Sequence, residues 1–273
     1  MNLENNDIAE ALWSAHEIDI SKYDPTFLHS ALVKRSINMN FKTTNSYSQF
    51  TKQNKAEALY FESVLHNNYS EFFRNPLTFS VIEQIVLPLL ALQKKEIRIW
   101  CTACAAGQEA YSLAILMEEL KRKMAKDLKY AIYATDQCSV QIDKAIQGHY
   151  EASAVSKVSI KRGNDWFVKH GDTYTIDSAL RKNIAFSTFD LFDKKLSVPS
   201  ASIFGSFDLV FCANLLFYYK PEFRMKILSK VRKSLVNQGF LVTGETEREI
   251  LANADFCEVF PSSALFQIKE KHN

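Results

Sequence analysis

A chain of 273 residues, 47% hydrophobic and 23% charged, can bury a large core and reads as an ordinary globular protein of one large domain or two unequal ones. A formal net charge of only +2 argues against nucleic acid or an anionic membrane as its main partner. The charge is uneven: residues 1–90 hold 7 Lys/Arg against 10 Asp/Glu, which leaves +5 for residues 91–273, the better host for an anionic ligand.

No basic-then-apolar leader opens the chain, and its most apolar stretch, Val81 to Leu92, is interrupted by Glu83, Gln84 and Pro88. The expectation is a cytoplasmic protein, neither secreted nor inserted in a membrane. Five cysteines, an odd number, suggest reduced thiols rather than a disulfide framework.

From Asn5 to about Leu90 apolar residues recur at helical spacing (Ile8, Leu12; Phe27, Leu28, Leu32; Ala56, Leu59, Tyr60, Val64), which predicts a helical N-terminal domain over residues 1–90. Asp24-Pro25 starts a helix, Asn75-Pro76 breaks the pattern, and Pro88 closes the segment before the linker Gln93 to Glu96. Beyond it strands and helices alternate. Ile97 to Ala103 reads as a strand, Gly107 to Lys123 as a helix, Tyr130 to Asp136 as a strand and Val140 to Gln147 as a short helix. Phe207 to Asn214, Pro221 to Leu235 and Phe240 to Gly244 read as strand, helix and strand, and Cys257 to Lys269 as a hairpin turning near Pro261. Such alternation implies an α/β domain, residues 91–273, with a mostly parallel sheet. The stretch 149–193 breaks the rhythm: Asp172 to Ile176 and Asn183 to Phe189 look like short antiparallel strands of an inserted subdomain.

Ile97 to Ser112 combines a strand, a turn of small residues and a helix start. That geometry offers backbone N–H groups at the positive end of a helix, beside residues too small to block a ligand. Gly107 is its only glycine, so no dinucleotide fingerprint is present. Asp136, ending the second strand, is placed either to accept hydrogen bonds from ribose hydroxyls or to cap the next helix. Asn214 ends another strand and can bond an amino or carboxylate group. Tyr218, four residues on, either offers a hydroxyl to a substrate or packs the next helix. Arg74, after Phe72-Phe73 and before Asn75-Pro76, either holds a carboxylate bidentately or is a solvated cation. Cys101 and Cys104 form a lone C-x-x-C with no second pair and no histidine pair, a poor basis for a metal or redox site.

These pieces together resemble the CheR family of chemotaxis receptor methyltransferases, which use S-adenosylmethionine (SAM) and release S-adenosylhomocysteine (SAH). The resemblance rests on N-x-S-x-F-F-R-N-P at 68–76, W-C-T-A-C-A-A-G-Q-E-A-Y-S at 100–112, A-T-D at 134–136 with G-H-Y at 148–150, F-D-L-V-F-C-A-N-L-L-F-Y-Y at 207–219 and G-F-L-V-T-G-E-T-E at 239–247. It implies a small helical domain before a Rossmann-like SAM-dependent methyltransferase sheet carrying a small antiparallel subdomain. By matching position it implies SAM contacts from Asn68, Ser70, Arg74, Ala103, Gly107, Glu109, Asp136, Asn214 and Leu215. Asp190 and Leu191 would lie near the adenine, and Arg74 and Tyr218 beside the transferred methyl. No metal is implied, and the partner would be a chemoreceptor cytoplasmic domain acted on by a monomer.

Some positions depart from the family. Its basic receptor-docking helix corresponds here to Ala31 to Lys42, with only Lys34, Arg35 and Lys42. Gln108 and Ala110 stand for a Glu and a Pro, Ala213 for an Arg, and Glu245-Thr246 for His-Ser. The loop from Lys169 to Thr173 has one glycine where members that grip a receptor's C-terminal peptide have a longer glycine-rich one. The expectation is a glutamate O-methyltransferase that does not depend on such a peptide. A SAM- or SAH-binding regulatory module and a methyltransferase for a different acceptor are the rivals.

Overall fold

The computed structural model describes residues 3–66, 69–124, 127–203, 205–252 and 254–269. The chain forms two compact units, one of residues 1–67 with 216–225, the other of residues 68–215 with 226–273.

The first unit is built on four helices, Leu3–His16, Pro25–Asn38, Thr44–Gln53 and Lys55–Leu65. Their starts are legible in the sequence. The Asp24 carboxylate accepts from the N–H groups of Thr26 and Phe27 with Pro25 in the first turn, and Thr43 and Asn54 cap the next two. Ile8, Leu12, Leu28, Leu32, Tyr47 and Phe61 are buried between them. The Arg35 guanidinium reaches both oxygens of Glu57 at 2.8 Å and lies over the Tyr60 ring, while the Tyr47 hydroxyl donates to Glu57 at 2.6 Å. Residues 216–225 join this unit: Tyr219 bridges Tyr23 and stacks on it at 5.4 Å, and Arg224 pairs with Asp24.

The second unit carries the sheet. Its strands are β1 (Glu96–Cys101), β2 (Lys129–Asp136), β3 (His149–Glu151), β4 (Phe167–His170), β5 (Thr173–Ile176), β6 (Ile184–Thr188), β7 (Phe207–Phe211), β8 (Leu235–Val242), β9 (Phe256–Glu258) and β10 (Leu265–Ile268). Seven form one sheet in the order β6-β2-β1-β7-β8-β10-β9. The first five are mutually parallel, and the β9–β10 hairpin adds antiparallel. β7 is buried at all five positions; Ile97, Ile99 and Cys101 of β1 join the core shared with the helices Gln108–Met124 and Pro76–Gln93, while Trp100 packs against Phe189 and Phe207 on the opposite face. This is the burial on both faces that a parallel sheet requires.

Two expectations are corrected. Contacts divide the chain near residue 67 rather than 90, because Phe79, Ile82, Val86, Leu87, Leu90 and Ala91 all join the core under the sheet. Pro88 does not end that helix. A π-helical turn over Ile82–Val86, where the Leu87 N–H bonds the Ile82 carbonyl, precedes the proline and widens the helix so that its ring and missing N–H are tolerated. By length and composition Pro76–Gln93 is apolar enough to cross a membrane; here its buried face serves the core.

The insertion is also smaller than expected. β3, β5 and β4 form a separate antiparallel sheet, but Ile184–Thr188 pairs in parallel with β2 as an edge of the main sheet. A half-buried edge strand keeps the alternating pattern that makes it look antiparallel in sequence.

Candidate functional site

Because β6, β2, β1, β7 and β8 run in parallel, their carboxyl ends lie along one edge, and sequence order reverses on either side of β1. Ligands of open α/β sheets bind at such a crevice. Onto this edge the fold brings Ala103, Gly107 and Glu109 after β1, Asp136 at the end of β2, Asp190 and Leu191 after β6, and Asn214 and Leu215 after β7. Ser70 and Arg74 belong to the same unit. Asn68 lies outside the described residues. Tyr218 falls in the first unit, where its ring lies 4.7 Å from Phe27.

The turn after β1 is held by its neighbours. Cys104 N–H donates to the Thr135 carbonyl, Ala105 N–H to Asp136 Oδ2 at 2.9 Å, and the Tyr150 hydroxyl to the Ala106 carbonyl. Ala105 has φ 45° and Gly107 φ 90°, and a Cβ on Gly107 would meet that of Ala145 at 3.0 Å. Glycine is thus required there on two grounds. Asp136 ties the end of β2 to the two turns beside it, and the N-cap of the next helix is Cys138. Its Oδ1 takes the Cys138 N–H at 2.9 Å before the helix Ser139–Gln147, and its Oδ2 fixes the β1 turn, while each oxygen keeps a further acceptor position. Burial raises its pKa, and the N–H bonds from Cys138, Ala105 and Gln137 oppose the rise.

Glu109, in the first turn of Gln108–Met124, is buried, and burial pushes its carboxyl up to about 8. The nearby Arg74 pulls it back, and the negative charge of Glu247 pushes it further. A carboxylate at a helix N-terminus is favoured, yet this one lacks a charge partner sufficient to offset its desolvation. Cys101 and Cys104 are buried free thiols whose ionisation burial strongly disfavours.

Glu247 is a residue of this edge that the sequence does not single out. Fully buried, its Oε2 accepts the Asn214 N–H at 2.8 Å and the Gly244 N–H at 2.7 Å, clasping the chain beyond β7 to the chain beyond β8. Asn214 is held at φ 58°, and a Cβ on Gly244 would sit 2.8 Å from Asn214 Oδ1. The only available signal was the second acid of Gly244-Glu245-Thr246-Glu247; an acid in a loop otherwise reads as solvated. Ser112 is a second omission: its hydroxyl receives the Phe73 N–H at 3.0 Å and so anchors the Phe72-Phe73-Arg74 turn to the helix after β1.

Among the described residues, the buried Asn214 Nδ2 and Gln108 Oε1 at this edge and the Ser70 Oγ of the segment before Phe72 have no hydrogen-bond partner. A buried polar group left so calls for an explanation, and a bound ligand is one. An amide donor, an amide acceptor, a hydroxyl and the Glu109 carboxyl suit a ligand with an amino acid moiety at one end and a ribose near Asp136.

The comparisons agree with this chemistry. Residues 68–264 match the family described as CheR methyltransferase, SAM binding domain. The chain belongs to this family. It is therefore a SAM-dependent methyltransferase, and the orphaned polar atoms fit that cofactor. Similar proteins include the chemotaxis protein methyltransferases of Listeria monocytogenes, 30% identical over 88% of this chain and 87% of that one, and Listeria innocua, 31% identical over 88% and 87%. Chemotaxis protein methyltransferase 1 of Pseudomonas aeruginosa is 32% identical over 66% of each chain.

Proposed function

We propose that this CheR-family enzyme esterifies glutamate side chains of a chemoreceptor-like protein, acting as a cytoplasmic monomer. The observation that carries the reading is the carboxyl edge of the sheet, where Glu109 is buried without a matched charge and the Asn214 amide lacks a partner. Relatives over nearly the whole chain named chemotaxis protein methyltransferases support the acceptor class.

In this reading Ser70, Ala103, Gly107, Glu109, Asp136, Asn214 and Leu215 hold SAM, with Asn68 and Arg74 added by sequence position and Asp190 and Leu191 beside the adenine. Bound SAM would supply an electrophilic methyl on a positively charged sulfur. A glutamate carboxylate is ionised at neutral pH, so the chain needs no general base. Its residues supply alignment and exclusion of water. Asp136 presents acceptors, and Glu109 becomes a negative partner when a cationic group beside it draws off its proton. Arg74, with Tyr218 by sequence position, orients the acceptor carboxylate.

The tight turn at Gly171-Asp172 between β4 and β5 supports independence from a receptor's C-terminal peptide. A different protein acceptor is the second reading, favoured by the helix Pro25–Asn38, whose Arg35 is already committed to Glu57. The test is incubation with methyl-labelled SAM and a chemoreceptor cytoplasmic fragment. Base-labile label on the fragment, lost with Arg74→Ala, is expected; base-stable label or no label would refute the glutamate ester.

A further inference from the structure

Arg74 stands on a contorted piece of chain. Phe73 before it has φ 51° and Asn75 after it φ 60°, left-handed conformations that are strained for a phenylalanine and tolerated by an asparagine. Such geometry persists only where the surroundings over-determine it. Some of the restraint comes from the main body: Phe73 N–H donates to Ser112 Oγ, and the Phe73 ring packs on Phe79 at 5.4 Å. The rest comes from the insertion. The Phe72 ring stands edge-on to Tyr150 of β3 at 4.9 Å and to Phe167 of β4 at 5.2 Å. Lys157 pairs with Glu71, which also accepts the Tyr69 hydroxyl.

One residue of the insertion joins these restraints to the methyltransferase core. Arg162, in the short helix Ile160–Trp166, holds its guanidinium 4.6 Å from the centre of the Phe73 ring. The same group reaches Glu119 at 2.7 Å on the helix after β1 and Glu83 at 2.8 Å on the helix Pro76–Gln93. It is mostly buried, and its planar fork is what allows two carboxylates and a ring face to be engaged together. Lysine has the charge but not the plane.

We infer that Arg162 is a positioning residue for Arg74, and that the three-stranded insertion serves methyl transfer by bracing the Phe72-Phe73-Arg74 turn. This rests on the role proposed for Arg74. Fixing both flanks of that residue limits how far its guanidinium can stray from the acceptor carboxylate, and misplacement by about 1 Å can cost on the order of 100-fold in rate.

The experiment uses the full chain and three variants, Arg162→Ala, Arg162→Lys and Arg74→Ala. Hydrogen exchange of the peptide covering residues 69–76 reads the brace without any acceptor; SAH affinity and label transfer to the receptor fragment read its consequence. For Arg162→Ala we expect exchange of 69–76 to quicken at least about tenfold while β1 and β2 stay protected. Transfer should fall about tenfold, several times more than SAH affinity, to which Ser70 and Arg74 of the same segment also contribute. Arg162→Lys should keep the fold and recover part of the rate. Unchanged exchange at 69–76, or unchanged transfer by Arg162→Ala while Arg74→Ala is inactive, would overturn the inference. So would losses of transfer and SAH affinity in step, the mark of general unfolding; should Arg162→Ala not fold, Arg162→Lys with wild-type exchange and rate would do the same. If Arg74→Ala still transfers, the Arg74 reading itself fails, a result distinguishable from failure of the brace.

Discussion

Of the buried glutamates among the described residues, Glu57 in the first unit and Glu109 in the second have opposite fates. Glu57 is 8% exposed and Glu109 5% exposed, so desolvation penalises both. The Glu57 carboxylate is held below its ordinary range, first by the hydrogen bonds from Arg35 and then by the Tyr47 hydroxyl, against the effect of burial. Glu109 has Arg74 nearby but no hydrogen-bonded fork, with Glu247 adding like charge, and it rises to about 8. The difference teaches how to separate a structural acid from a functional one. An acid matched inside the protein stabilises the fold, whereas an acid left unmatched is poised for a charge that arrives from outside.

The largest expected effect sharpens the structural side. Glu57→Ala leaves the mostly buried Arg35 without its partner and the Tyr47 hydroxyl without its acceptor, which should cost about 2–4 kcal/mol. Chemical denaturation would show it; a change within about 0.5 kcal/mol would mean that the pair is not the keystone of the first unit.

The next effect has the opposite sign. The folded state holds a proton on Glu109 between about 4.5, its ordinary value, and about 8, where the unfolded chain has lost it. Stability contributed by this group therefore declines as pH rises through that window and levels off above it. Glu57 behaves inversely, giving stability above its ordinary value that is lost as pH falls through its depressed one. Glu109→Gln should remove the decline and raise stability at pH 8 by something of order 1–3 kcal/mol, while weakening SAH binding. A variant no more stable than the wild type at pH 8 would break the comparison.

A smaller effect concerns the clasp on Asn214. Glu247→Gln can still offer one oxygen to the N–H groups of Asn214 and Gly244, so the fold should survive, but the like charge beside Glu109 disappears. The pH at which Glu109 titrates, read from the pH dependence of SAH affinity, should move down by roughly one unit or less. No movement would separate the two acids electrostatically.

Much of this was legible in the sequence. Asp24-Pro25, the strand end at Asp136 and the small-residue turn before Gly107 follow from capping, periodicity and the placement of strand ends, and the structure puts them where those rules do, whereas β7 ends at Phe211, three residues before Asn214. The edge strand Ile184–Thr188 was misread because alternation cannot distinguish a half-buried parallel edge from an antiparallel strand. Pro88 was misread because a π turn that rescues an interior proline leaves no local mark. Glu247 was missed because an acid shows its burial only once the chain beyond β7 and β8 is brought together. Arg162 escaped notice for a similar reason: its three partners, Phe73, Glu83 and Glu119, lie 43 to 89 positions away in the chain.

The central claim, that the unmatched Glu109 marks the SAM site, is tested most directly by calorimetric titration of SAH at pH 7 in two buffers of different ionisation enthalpy. A cationic amino group that engages Glu109 favours its ionised form, so binding should release a proton, and affinity should rise with pH towards about 8 and then level. Glu109→Gln should bind about tenfold or more weakly and release no proton. Equal affinity and equal proton release in the two proteins would contradict the claim.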